Sequence, residues 1–118
     1  MNKMKRAEWV LRFAVAGEFI GHGVFALGQK AGWVGYFTAI GISSDTALLI
    51  LPLIGAMDIL LALIILYRPV RPLLLWMALW AFITAAIRPI AGEPVWDFIE
   101  RFANIGAPLA LYHLMSKK

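Results

Sequence analysis

Residues 46–67 read TALLILPLIGAMDILLALIILY. Between Ala47 and Leu66 the only charge is Asp58. Roughly 20 predominantly apolar residues carry a helix across the hydrocarbon of a bilayer, so this stretch predicts a transmembrane helix. A soluble fold would have to hide it beneath polar cover that the chain lacks. Of 118 residues, 62% are hydrophobic and 15% charged, with a mean hydropathy of +0.79. A monomeric soluble domain of that composition would expose large apolar patches.

Similar blocks flank this one. The chain predicts an all-α integral membrane four-helix bundle, one transmembrane domain over 1–118 with spans at about 7–27, 46–67, 72–88 and 95–115. Arg68-Pro69-Val70-Arg71-Pro72 separates the second and third spans, since closely spaced prolines end one helix and start the next. Arg88 to Pro94 forms the following connection, and the fourth helix is expected from Pro94 to about Met115. Its first turns are polar, with Asp97, Glu100, Arg101 and Asn104. Gln29 to Ser44, rich in Gly with Trp33, Tyr36 and Phe37, predicts an interfacial segment between the first two spans, because Trp and Tyr favour the headgroup level. It closes on Ser43-Ser44-Asp45, a helix N-cap signature. The basic start, Met1 to Arg6, leads into an apolar stretch containing Glu18 and His22 with no small-residue cleavage site, so a first span is expected rather than a cleaved signal.

Lys3, Lys5, Arg6, Arg12, Arg68, Arg71, Lys117 and Lys118 fall on one side of the four-span arrangement, and Lys30, Arg88 and Arg101 on the other. The positive-inside rule then predicts both termini in the cytoplasm, with the chain in the cell (inner) membrane. The net charge of +4 is accounted for by these helix ends, which argues against a nucleic-acid partner. With no Cys, disulfides, thiolate nucleophiles and iron–sulfur clusters are excluded.

Charges inside a membrane usually face protein or water and are paired. Glu18 and Asp58 lie near the middle of oppositely directed spans. Each has small residues on its own face, Ala14 and Gly21 beside Glu18, Gly55 and Ala62 beside Asp58, so both acids are expected to point into the bundle. His22 follows Glu18 by four residues and shares its face, and Gly17 and Gly21 stand at small-xxx-small spacing. Arg88, Arg101 and Asn104 are placed to close over this region, and Pro108 leaves the Asn104 carbonyl without its helical donor. Glu18, His22, Asp58, Arg88 and Asn104 are therefore candidate ligand-binding residues in the outer half of the bundle. The competing reading is an ion-pair network that only holds the helices together.

Glu18, His22 and Asp58 are metal-ligand types, yet they spell no metal motif and no metal is expected. His22 and His113 lie near opposite ends of the bundle, too far apart for a bis-histidine haem. His113 beside Lys117 and Lys118 reads as interfacial. Trp76 and Trp80, one turn apart, fit packing, lipid contact or a groove wall. No Gly-rich phosphate loop is present.

In its order of features the chain resembles the DoxX-like family of small four-helix membrane proteins. The matching residues are Leu11-Arg12-Phe13, the run from Gly21 to Lys30, Trp33 to Phe37 followed by Gly41, Gly55-Ala56-Met57-Asp58, and Arg68-Pro69. The resemblance implies subunits of quinone-linked oxidoreductases, membrane partners in redox-stress responses, or chaperones of larger membrane proteins, without an agreed catalytic set. Two functional expectations follow. One is an accessory or assembly subunit, not an enzyme on its own, acting through helix–helix contacts with a larger membrane complex or as a homo-oligomer. The other is a site for a quinone or other small ligand at Glu18, His22 and Asp58, with Arg88 balancing charge.

Overall fold

The structure, a computed structural model, describes residues 2–115. Lys117 and Lys118, used in the orientation count, lie outside the described residues. Regular structure among the described residues is helical: α1 (Lys3–Leu27), α2 (Ala31–Ala39), α3 (Ser44–Tyr67), α4 (Arg71–Ile90), α5 (Trp96–Ile99) and α6 (Phe102–Met115). Helices α1, α3 and α4 are each long and apolar enough to cross a membrane.

Local chemistry sets the helix ends. The Asn2 side chain accepts from Lys5 N at 2.8 Å to start α1, and Ser43 Oγ accepts from Thr46 N at 3.2 Å to start α3, each satisfying one of the orphan donors of a first turn. Proline stands in the first turn of α4, where its missing N–H costs nothing. Gly41, at φ +89°, and Gly92, at φ +97°, turn the chain after α2 and α4 in a conformation that favours glycine.

The fourth helix departs from expectation. Instead of one helix over about 95–115 there are two, broken at Glu100–Arg101. The amides of Arg101 and Asn104 reach back only three residues, to Phe98 O at 3.1 Å and Arg101 O at 3.0 Å. The Arg101 guanidinium takes the Asp97 carbonyl at 2.8 Å. What remains, α6, has 14 residues, about 21 Å at 1.5 Å per residue.

Helices α1 and α3 form the most extensive pair, α4 packs on α6, and α1 joins the two pairs through α6. Helix α4 buries Ala78, Ala81 and Ala85. The core gathers Val15, Phe19, Leu61, Ile65, Leu74, Met77 and Leu111, at the end of the bundle near the α3–α4 turn. Away from that turn α3 and α4 diverge, and α2 lies across the gap, touching both.

The close approach of α1 to α3 is not where the small-residue spacing predicts. Gly17 and Gly21 are exposed, with nothing within 4 Å of a would-be Cβ. Gly23 and Gly55 make the contact instead: a Cβ on Gly23 would stand 3.0 Å from Gly55 O. At about 100° per residue, two positions separate opposite sides of the helix, so the Ala14–Gly17–Gly21 face points out of the bundle. Gly55 and Ala62 do lie on a buried face of α3 with Asp58.

Candidate functional site

The divergence of α3 from α4 leaves a cleft of about 500 Å³, roofed by α2. One face of each helix lines it: Trp33, Tyr36, Phe37 and Ile40 of α2; Ile50, Leu51, Ile54, Met57 and Asp58 of α3; Trp76, Trp80, Ile83, Thr84, Ile87 and Arg88 of α4. Their spacings of three and four residues are those of single helical faces. His22 of α1 closes the back. The walls are apolar and aromatic apart from a few polar groups, the usual make-up of a small-molecule site.

Three of the five candidate residues meet here: His22, Asp58 and Arg88 line the cleft. Asp58 is 2% exposed, and its Oδ1 is buried without a hydrogen-bond partner among the described residues. An acceptor taken from water and left unmatched costs roughly 1–3 kcal/mol. Arg88, 9% exposed, does not pair with the central acids. Its Nη1 donates to Tyr36 Oη at 2.7 Å and lies 3.9 Å from Glu93 Oε1, while its Nε is buried and unmatched among the described residues. The His22 ring meets Trp33 edge-on, with centroids 5.6 Å apart, and feels the charges of Arg88, Arg101 and Lys30.

Glu18 and Asn104 are not in the cleft wall. Glu18, half-buried, sits on the flank of α1 within electrostatic reach of Asp58. Asn104 is half-buried on α6, and the nearby Arg101 is engaged by Glu100 at 2.6 Å. Among the described residues no three His, Asp or Glu side chains gather closely enough to hold a metal ion.

A family model described as the DoxX-like family matches residues 16–114. The chain belongs to the DoxX-like family. With its three apolar helices of spanning length, this DoxX-like chain is a small integral membrane protein. No curated protein and no solved structure matches it significantly.

Two features of this DoxX-like protein escaped the sequence reading. The first is the outer rim of the cleft. Tyr36 and Asp97, standing beside Glu93, hold its carboxyl below its ordinary value, helped by the charge of Arg88. Asp97 is itself pushed up by Glu93. Burial and the Glu93 partner raise the Tyr36 hydroxyl. The second is at the opposite end. Arg12, counted only for orientation, is buried with Glu8, donates through Nε to Ile65 O at 2.9 Å and through Nη2 to Leu66 O. It covers the Trp9 ring at 3.8 Å. It thereby supplies donors to the carbonyls at the C-terminus of α3, where a cation is favoured. The available signal was an arginine four residues after a glutamate, already inside an apolar block.

Proposed function

We propose that this protein binds one lipid-soluble small molecule in the cleft between α3 and α4. The observation that carries the reading is Asp58: a buried carboxyl without a partner among the described residues, in the wall of an otherwise apolar cavity. Polar groups retained at such a cost inside a membrane are functional candidates by default. A cavity of about 500 Å³ falls within the roughly 300–1,000 Å³ typical of small-ligand sites. The stacked Trp76 and Trp80 rings, 5.8 Å apart, offer a flat face, so a quinone is one ligand of suitable shape. Glu18 and Asn104 serve from behind the wall, Glu18 within electrostatic reach of Asp58.

The reading includes a topology. The protein sits in the cell membrane as a four-span bundle, with α5 and its polar turn completing the short α6, α2 lying in the interface, and both termini cytoplasmic. Under that topology the cleft opens in the outer half of the bilayer.

A second reading is supported by the exposed Ala14, Gly17 and Gly21 of α1. Such a face lets another helix approach closely, as an accessory subunit or homo-oligomer would require, and Glu18 at its edge would gain cover.

Native mass spectrometry of gently solubilised protein, with lipid extraction of the same sample, separates the two. A bound small molecule that disappears in Asp58→Asn supports the cleft. A bare oligomer or protein complex, indifferent to Asp58→Asn but lost when Gly17 is replaced by Leu, supports the α1 face and rules against the cleft.

A further inference from the structure

We propose that the natural occupant of the cleft is a single-chain amphiphile with an acidic head group, its head held by Arg88 and its chain running down between α3 and α4. The inference rests on the cleft being a ligand site and adds the chemistry of the ligand. Among the described residues that line the cleft, Arg88 is the only Arg or Lys. Tyr36 engages one of its terminal nitrogens, and Glu93 reaches it only at 3.9 Å from a partly solvated position. Its Nε remains buried without an acceptor among the described residues. A guanidinium keeps its charge in any surroundings, and its planar fork suits carboxylate or phosphate oxygens.

The wider charge pattern agrees. Lys30, Arg88 and Arg101 all act on His22 at the back of the cleft. Lys30 lies over the faces of Phe25 and Trp33 at 4.5 and 5.3 Å, contacts that leave its positive charge in place. Of the nearby carboxylates, Glu93 meets Arg88 only at 3.9 Å from the rim, Glu100 engages Arg101, and neither lines the cleft. Asp58, the one carboxyl among the described lining residues, stands deeper. A head group at the level of Arg88 therefore meets a positive field.

Below Arg88 the α4 wall continues to Trp76, about 18 Å along the helix. A methylene takes about the room of a water molecule, roughly 30 Å³, so 500 Å³ admits one chain of about sixteen carbons and not the two chains of a phospholipid. A free fatty acid and a single-chain phosphate lipid share this chemistry.

The test uses the purified full chain and cis-parinaric acid, a polyene fatty acid that quenches Trp33, Trp76 and Trp80 by energy transfer, alongside its methyl ester. The acid is expected to bind at least about tenfold more tightly than the ester. The preference should vanish in Arg88→Gln and survive in Arg88→Lys. Displacement by palmitate, by a single-chain lysophosphatidate and by methyl palmitate then identifies the head, and the better acidic competitor names the source. Equal binding of acid and ester in the wild-type protein, or displacement by a quinone more readily than by either acid, overturns the inference while leaving the cleft a ligand site. Absence of quenching and displacement by every probe overturns both. The wild-type comparison decides even if the Arg88 variants fail to fold.

Discussion

Gly23 of α1 and Gly55 of α3 meet backbone against backbone: a Cβ on Gly55 would lie 2.7 Å from Gly23 O and 2.7 Å from Leu27 N. Backbone atoms cannot swing aside as a side-chain end can, so Gly55→Ala must force α1 and α3 apart. Overpacking of this kind costs about 1–3 kcal/mol or more. Gly55→Ala should lower the thermal midpoint in detergent clearly, and so should Gly23→Ala, whose Cβ would meet Cγ1 of the β-branched Ile59 at 2.6 Å and Gly55 O at 3.0 Å. Gly17→Ala and Gly21→Ala, with open space around them, should leave it unchanged. Equal loss from all four would mean that α1 is rotated relative to this packing.

Arg12 ties α1 to the C-terminal end of α3. Removing it uncovers the Ile65 and Leu66 carbonyls and takes a cation at 3.4 Å from the buried Glu8. Breaking a buried pair from one side typically costs about 3–5 kcal/mol. Arg12→Ala should therefore destabilise strongly. Arg12→Lys should recover part of the loss, since an ammonium offers no planar fork for two carbonyls. Arg12→Ala in a Glu8→Gln background should cost less than in the wild type, and strict additivity would show that the two side chains do not act together.

How much of this was legible in the sequence depended on whether a feature is local. The runs around residues 7–27, 46–67 and 72–88 reappear as α1, α3 and α4, because length and apolarity are properties of a continuous segment. Ser43 as a cap and the Arg68–Pro72 turn were equally local. Helix rotation was not: Gly21 and Gly23 both look suited to close packing, and only the partner helix selects Gly23. His22, Asp58 and Arg88 could be named because charges and imidazoles are rare in apolar runs, yet the cleft uniting them depends on the divergence of α3 from α4. Tyr36, held by Arg88 across a separation of 52 residues, left no mark in spacing. The break at Glu100–Arg101 came from a side chain competing for a backbone carbonyl, which no periodicity records.

The topology can be tested directly because the chain has no Cys, so single cysteines report without background. Under the proposed orientation, Asp45→Cys at the start of α3 should react with a membrane-impermeant maleimide added to intact cells. Arg68→Cys, in the α3–α4 turn, should react only after the cells are opened. The reverse pattern would invert the protein and place the cleft in the cytoplasmic leaflet.

The rim of the cleft should respond to acid. A carboxyl that the fold holds below its ordinary value contributes stability present above that value, 4.5 for Glu93, and lost as pH falls through the folded value. Asp97, pushed up from 3.8, contributes in the opposite sense: its share is present below 3.8 and fades as pH rises through the folded value. Both groups are solvated, so the effect on global stability is small. The local consequence is a weaker Tyr36–Glu93 link, and with it a looser α2. Proteolysis within α2 should therefore quicken as pH drops below 4.5, after correction for the protease's own pH dependence. Glu93→Gln should remove that response, with the faster, acid-like cleavage already present at neutral pH. A pH response retained in Glu93→Gln would assign it to another group.

Filling the cleft should separate binding from folding. Ile54 is half-buried in the α3 wall, and a larger side chain there enters empty space rather than the core. Ile54→Trp should therefore keep stability within about 1 kcal/mol of wild type, whereas Val15→Trp, at a core position 0% exposed, should unfold the bundle because close-packed interiors do not accept added volume. If the cleft is the binding site, Ile54→Trp should abolish energy transfer to a polyene ligand even though it adds a tryptophan donor. Quenching that persists at wild-type affinity in a folded Ile54→Trp protein would place the ligand elsewhere, with the exposed α1 face around Gly17 the next surface to examine.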